Sequence, residues 1–124
     1  MKFTLDERSD INLIRGYSDG EVRINELVQR APCIVTAQQL VLDWQARAIA
    51  TLAPADLEQL FALQPDVVLL GTGPKQIFPD RAIRQAFARR KVGLEVMDLG
   101  AACRTYNILV QEERRVAAAL FPSG

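Results

Sequence analysis

Histidine is absent from this chain. With it go the commonest general base near neutral pH and the commonest metal ligand. A Ser-His-Asp triad, a Cys-His pair and a histidine-based zinc site are therefore excluded within one copy of the chain. Cysteine is scarce: Cys33 and Cys103 lie far apart and no CxxC occurs. Neither a zinc ribbon nor a thioredoxin-type redox motif is supported, and two free, buried thiols in a reducing compartment are the simplest expectation. Net charge is missing as well, with 15 basic against 15 acidic side chains. A free-standing nucleic-acid binder usually carries a basic excess to displace counterions, so that role is disfavoured. No apolar run approaches the length of a membrane span, and Met1-Lys2-Phe3-Thr4-Leu5-Asp6-Glu7-Arg8 lacks the apolar core of a secretory leader. Together these absences predict a soluble cytoplasmic protein with no metal and no cofactor.

What is present suits one folded domain over residues 1–124. Apolar residues make up 49% and charged residues 24%, which is ordinary globular usage. The first third reads as short antiparallel strands. Ile11–Tyr17 and Glu21–Ile24 flank Ser18-Asp19-Gly20, a hairpin turn in which glycine accepts positive φ. Cys33–Thr36 and Leu40–Trp44 read as two further strands. A helix is expected from Pro54, with Asp56 and Glu58 in its first turn and Leu57, Leu60 and Phe61 on one face.

The second half reads as a βαβ unit. Val67–Leu70 is a continuous apolar run, as expected of a strand covered on both faces. Pro79–Lys91 has Ala82, Ile83, Ala86 and Phe87 on one side, with Gly93 as the C-cap, and Leu94–Met97 follows as a parallel strand. A last helix is expected from near Ala101 to Leu120. Ala102, Tyr106, Leu109, Val110, Glu113, Val116, Ala117 and Leu120 would face inward. The fold class is α/β: a mixed central sheet with antiparallel N-terminal strands, a βαβ unit and helices on both faces, in three layers.

Three segments in order carry a resemblance: Pro65-Asp66-Val67-Val68-Leu69-Leu70-Gly71-Thr72-Gly73, Gly93-Leu94-Glu95-Val96-Met97-Asp98 and Ala101-Ala102-Cys103-Arg104-Thr105-Tyr106-Asn107-Ile108-Leu109. Asp43-Trp44 and the Gly16-Tyr17 region fit the same pattern. The chain resembles, over nearly its whole length, a small domain family of unassigned molecular activity. That family includes bacterial stand-alone proteins and the mitochondrial respiratory complex I assembly factor 3. The resemblance implies a mixed sheet between helical layers and a protein partner in complex assembly. One departure stands out: where members often have Asp-Thr after Glu-Val-Met, here Asp98 is followed by Leu99-Gly100.

Candidate chemistry gathers at the ends of the two parallel strands, where α/β sheets bind ligands. Gly71, Thr72, Gly73 and Lys75 could hold an anion through backbone N–H groups and an ammonium. The plainer reading is a tight turn that needs glycine. Asp98, Arg104, Thr105 and Asn107 could complete a pocket, with Arg104 clamping a carboxylate or phosphate. Here the plainer reading is structural, with Asp98 capping the last helix or pairing with Arg104. Arg81, Arg84, Arg89, Arg90 and Lys91 form a basic helix face that could meet nucleic acid or an acidic partner, or simply be a solvated face. Cys103 reads as a small buried hydrophobe. No catalytic constellation emerges. The residues favour a non-catalytic binding or assembly module over the alternative, a small-molecule or anion-binding enzyme or sensor at the sheet end. Exposed hairpin edges would also permit a homodimer.

Overall fold

The computed structural model describes residues 10–124; the stretch Met1–Arg8, read above as no leader, lies outside them. Among the described residues eight strands and three α-helices form. They are β1 (Ile14–Ser18), β2 (Glu21–Ile24), β3 (Leu27–Gln29), β4 (Cys33–Val35), β5 (Leu40–Val41), α1 (Glu58–Phe61), β6 (Val67–Gly71), α2 (Arg81–Arg90), β7 (Gly93–Met97), α3 (Leu99–Gln111) and β8 (Val116–Leu120). β1, β2 and β3 make a three-stranded antiparallel sheet. The other five strands make a mixed sheet in the order β5-β4-β8-β6-β7. Within it β8 is antiparallel to β4 and parallel to β6, and β6 is parallel to β7.

Side chains alternate faces along a strand, and the alternation splits the interior in two. Leu69, Val116, Ala118 and Leu120 pack with Ala102, Cys103, Tyr106 and Val110 of α3 and with Ile14, Val22 and Ile24 of the small sheet. Val68, Leu70, Ala117 and Ala119 pack on the opposite face with Leu57, Leu60, Ile83, Phe87 and Trp44. Helices therefore cover both faces of the central sheet, and the small sheet shares the α3 side.

The largest correction to the sequence reading concerns Val116–Leu120. These residues are the middle strand, not the end of a helix; α3 stops at Gln111. Alanine is the best helix former, so Ala117-Ala118-Ala119 favours a helix locally. Pairing on both sides, together with complete burial of all five residues, overrides that preference. Glu113, expected inward, is exposed and takes a left-handed φ of 62° where the chain turns into β8.

Smaller corrections follow the same logic. α3 starts at Leu99 rather than near Ala101, because Asp98 caps it: its Oδ1 accepts the Ala101 N–H at 2.9 Å. Lys91 rather than Gly93 supplies the left-handed residue after α2, and Gly93 already belongs to β7. Ala82 is exposed rather than inward. Pro54–Leu57 is a 3₁₀ turn leading into the single turn of α1. β5 ends at Val41, and Trp44 beyond it is buried, its indole N–H donating to the Asp56 carbonyl at 2.8 Å. β3 was not anticipated, since Leu27-Val28-Gln29 is too short to show a period.

A chain of amides joins the small sheet to α3. The Asn107 side chain accepts the Ile14 N–H at 2.9 Å and donates to the Ile14 carbonyl at 2.8 Å. The Tyr106 hydroxyl donates to the Asn12 carbonyl at 2.8 Å, and the Asn25 amide donates to Asn12 Oδ1 at 2.9 Å. Asn107→Ala would leave both polar groups of buried Ile14 without these partners. We expect a loss of about 2 to 3 kcal/mol in urea denaturation. An unchanged midpoint for Asn107→Ala would contradict this role.

Candidate functional site

Parallel pairing of β6 with β7 sets Gly71 beside Met97, as the sequence predicted for the two strand ends. The chain then links the ends directly. Thr72 N–H donates to the Met97 carbonyl at 2.9 Å, and Leu99 N–H donates to the Gly73 carbonyl at 2.8 Å. Above this junction lies an open cleft of about 810 Å³. Its walls come from the β1–β2 turn (Tyr17 to Gly20), Gly73-Pro74, the start of α3 (Asp98, Leu99, Gly100, Arg104) and Pro122-Ser123.

Of the residues singled out from sequence, the cleft gathers Gly73, Asp98 and Arg104. Gly71 is buried in β6, where its carbonyl accepts the Phe121 N–H at 2.8 Å. Thr72 is fully buried, the one buried polar side chain among the described residues. Its hydroxyl donates to the Lys75 carbonyl and accepts the Ile77 N–H at 3.0 Å, so it clasps the loop that follows β6. Lys75 is exposed outside the cleft, Thr105 is half-buried and does not line it, and Asn107 holds β1. Gly73 has a φ of +88°, and a Cβ there would sit 2.6 Å from the Gly124 nitrogen, so the turn requires glycine.

The polar groups of the cleft divide by availability. Asp98 serves as the α3 cap, and the N–H groups of Leu99 and Ala101 at the helix start are taken by Gly73 and Asp98. Arg104 Nη1 donates to the Tyr17 hydroxyl, and the guanidinium lies 6.0 Å from the Tyr17 ring centroid. Both side chains are exposed, Tyr17 to 43%. The Tyr17 ring rests on Gly100, where a Cβ would come within 2.8 Å of it. Sequence reasoning missed Tyr17, the β1–β2 turn and Pro122-Ser123 as parts of this site. Gly100 beside the capping Asp98 was the one local sign of a close approach.

A second cleft, about 490 Å³, opens at the opposite end of the sheet. It lies between Gln38-Gln39, Gln64-Pro65 and the α3–β8 turn that carries Glu113, Arg114 and Arg115. Arg115 there donates to the Gln64 carbonyl at 2.7 Å. Assigning that turn to a helix concealed this cleft in the sequence. The basic face of α2 stays on the surface: Arg81, Arg84, Arg89, Arg90 and Lys91 are all exposed, and Arg90 lies 4.6 Å over the Phe61 ring. No cluster of three or more His, Cys, Asp or Glu side chains suited to a metal occurs among the described residues.

Cys33 and Cys103 are free and buried on the α3 side of the sheet. Burial pushes both thiols from 9.0 up to about 12. At Cys103 the nearby Cys33 adds to the rise, Arg104 lowers it and Asp98 raises it. Both are therefore neutral at physiological pH and poor nucleophiles. Their raised values contribute stability that is fully present below about pH 9 and is lost as pH climbs towards 12, because only the unfolded chain then gives up the thiol protons. The native protein should resist Ellman's reagent at pH 8 and react in denaturant. Its stability should decline above pH 9, less steeply in Cys103→Ala. Rapid native labelling would contradict this.

Comparison with known proteins adds to this geometry. Residues 14–121 match a family model described as protein of unknown function (DUF498/DUF598). The 13 kDa major membrane protein of Francisella tularensis subsp. holarctica (strain LVS) is 33% identical over 103 residues, 82% of this chain and 83% of that protein. The NADH dehydrogenase [ubiquinone] 1 alpha subcomplex assembly factor 3 of Danio rerio is 30% identical over 118 residues, 94% of this chain and 67% of that protein. A solved structure from Xanthomonas campestris shares 37% identity with a TM-score of 0.84, covering 91% of this chain and 86% of that one.

Proposed function

This chain belongs to the family of proteins of unknown function DUF498/DUF598, and from that membership we propose that it is a non-catalytic binding module that helps a protein partner into a larger complex. The observation that carries the proposal is the Tyr17–Arg104 pair at the mouth of the cleft. Tyrosine and arginine are residue types enriched where proteins meet: tyrosine offers a rigid ring with a polar tip, and arginine a planar fork of hydrogen-bond donors. Asp98 Oδ1 and the N–H groups of Leu99 and Ala101, which an acid–base reaction or an anion would draw on, are engaged in holding the fold.

The relatives named as assembly factors support a partner among the subunits of an NADH dehydrogenase. The name of another relative attaches that protein to a membrane. No helix among the described residues is long and apolar enough to cross one. A second reading rests on the exposed Arg104 guanidinium. It makes the cleft a seat for an anionic small molecule, with Arg104 as the clamp.

Deleting the gene in its host tests the first reading. Assembled NADH dehydrogenase, scored by in-gel NADH oxidation on native gels, should fall. The wild-type gene should restore it, and Tyr17→Ala/Arg104→Ala should not, although that double variant melts within a few degrees of wild type. Normal assembly without the gene would refute the proposed partner. Full rescue by the double variant would refute the cleft. A thermal shift with anions that Arg104→Ala abolishes would favour the second reading.

A further inference from the structure

The charge of this chain is zero only in sum. Residues 75–91 hold Lys75, Arg81, Arg84, Arg89, Arg90 and Lys91 against a single carboxylate, Asp80. Among the described residues the one ion pair, Arg30 with Glu21, lies elsewhere. Arg90 sits over Phe61. The remaining five cations are exposed.

The same segment carries the most exposed large apolar side chain among the described residues, Phe78 at 63%, next to Ile77 at 44%. Their exposure is built in. Thr72 grips the Ile77 N–H, the Gln76 amide donates to the Val96 carbonyl at 2.9 Å, and buried Pro79 anchors the far side. An aromatic and an aliphatic side chain are thus presented on a held loop, with Lys75 before them and Arg81 and Arg84 after them. Ile83 and Phe87 turn into the core, which leaves the outer face of α2 basic.

We propose that the loop carrying Ile77 and Phe78 and the outer face of α2 form a seat on anionic membrane surfaces. The two halves of the patch match the two layers of a bilayer. Cationic side chains meet acidic headgroups, and an apolar tip reaches the acyl boundary beneath them. A nucleic acid, or a peptide of acidic residues alone, would answer the charge and leave Ile77 without a role. Because the loop is held, little ordering entropy opposes insertion. This surface is separate from the Tyr17–Arg104 pair, so each can fail alone.

Co-sedimentation of the full chain tests the proposal. The probes are vesicles of phosphatidylcholine mixed with phosphatidylglycerol, vesicles of phosphatidylcholine alone, and a single-stranded oligonucleotide. Binding should be confined to the mixed vesicles and should weaken with salt. Phe78→Ser should lower it about tenfold, and Arg81→Gln/Arg84→Gln about thirtyfold. Both variants change exposed side chains, and an unchanged melting temperature verifies their folding. Absence of vesicle binding at low salt overturns the proposal. So does undiminished binding by Phe78→Ser, or retention of the oligonucleotide in preference to vesicles.

Discussion

Everything in this fold leans on one strand that meets water on neither face. β8 is hydrogen-bonded on both sides, antiparallel to β4 and parallel to β6, and all five of its residues are buried. A strand so placed must be apolar on both faces, and small side chains in its middle let layers approach closely from either side. Val-Ala-Ala-Ala-Leu meets both demands. By joining the antiparallel strands to the βαβ unit, β8 turns two local motifs into one sheet. It also brings Pro122-Ser123 to the end where Gly73 and Asp98 already lie.

That dependence explains what could be read from the residues and what could not. The hairpin at Asp19-Gly20, the buried strand Val67–Gly71, the helix over Arg81–Arg90 and the parallel partner ending at Met97 all carry local signals, and all form. The fold class follows from them. Capping of α3 by Asp98 was legible for the same reason, since an Asn/Asp/Ser/Thr before a helix acts through its own neighbours. β8 was not legible, because its local preference is helical and its strand state exists only through partners distant in the chain. The cleft was half legible. Gly73, Asp98 and Arg104 share it because adjacent parallel strands end together. Tyr17 reaches Arg104 from the other sheet, a relation set by the Asn107–Ile14 and Tyr106–Asn12 bonds rather than by any motif.

One loop serves two surfaces. The chain leaving β6 contributes Gly73 and Pro74 to the cleft, then passes Ile77 and Phe78 into solvent before entering α2. Buried Thr72 holds both halves of that loop through a single hydroxyl. A binding module that must offer one face to a partner and another to a support would gain from such an arrangement, because the two faces keep a constant relation. Thr72, Asp98 and Asn107, which the sequence offers as pocket residues, hold the fold together, and Tyr17, Arg104, Ile77 and Phe78 stay exposed.

Native-state hydrogen exchange of the backbone amides reads out the role of β8. If β8 is the strand on which the sheet closes, the amides of Val116–Leu120 exchange only through global unfolding and rank with those of β6 among the slowest in the protein. If these residues instead exchanged early, in step with the turn at Glu113–Arg115, β8 would be an appendage to a sheet that closes without it.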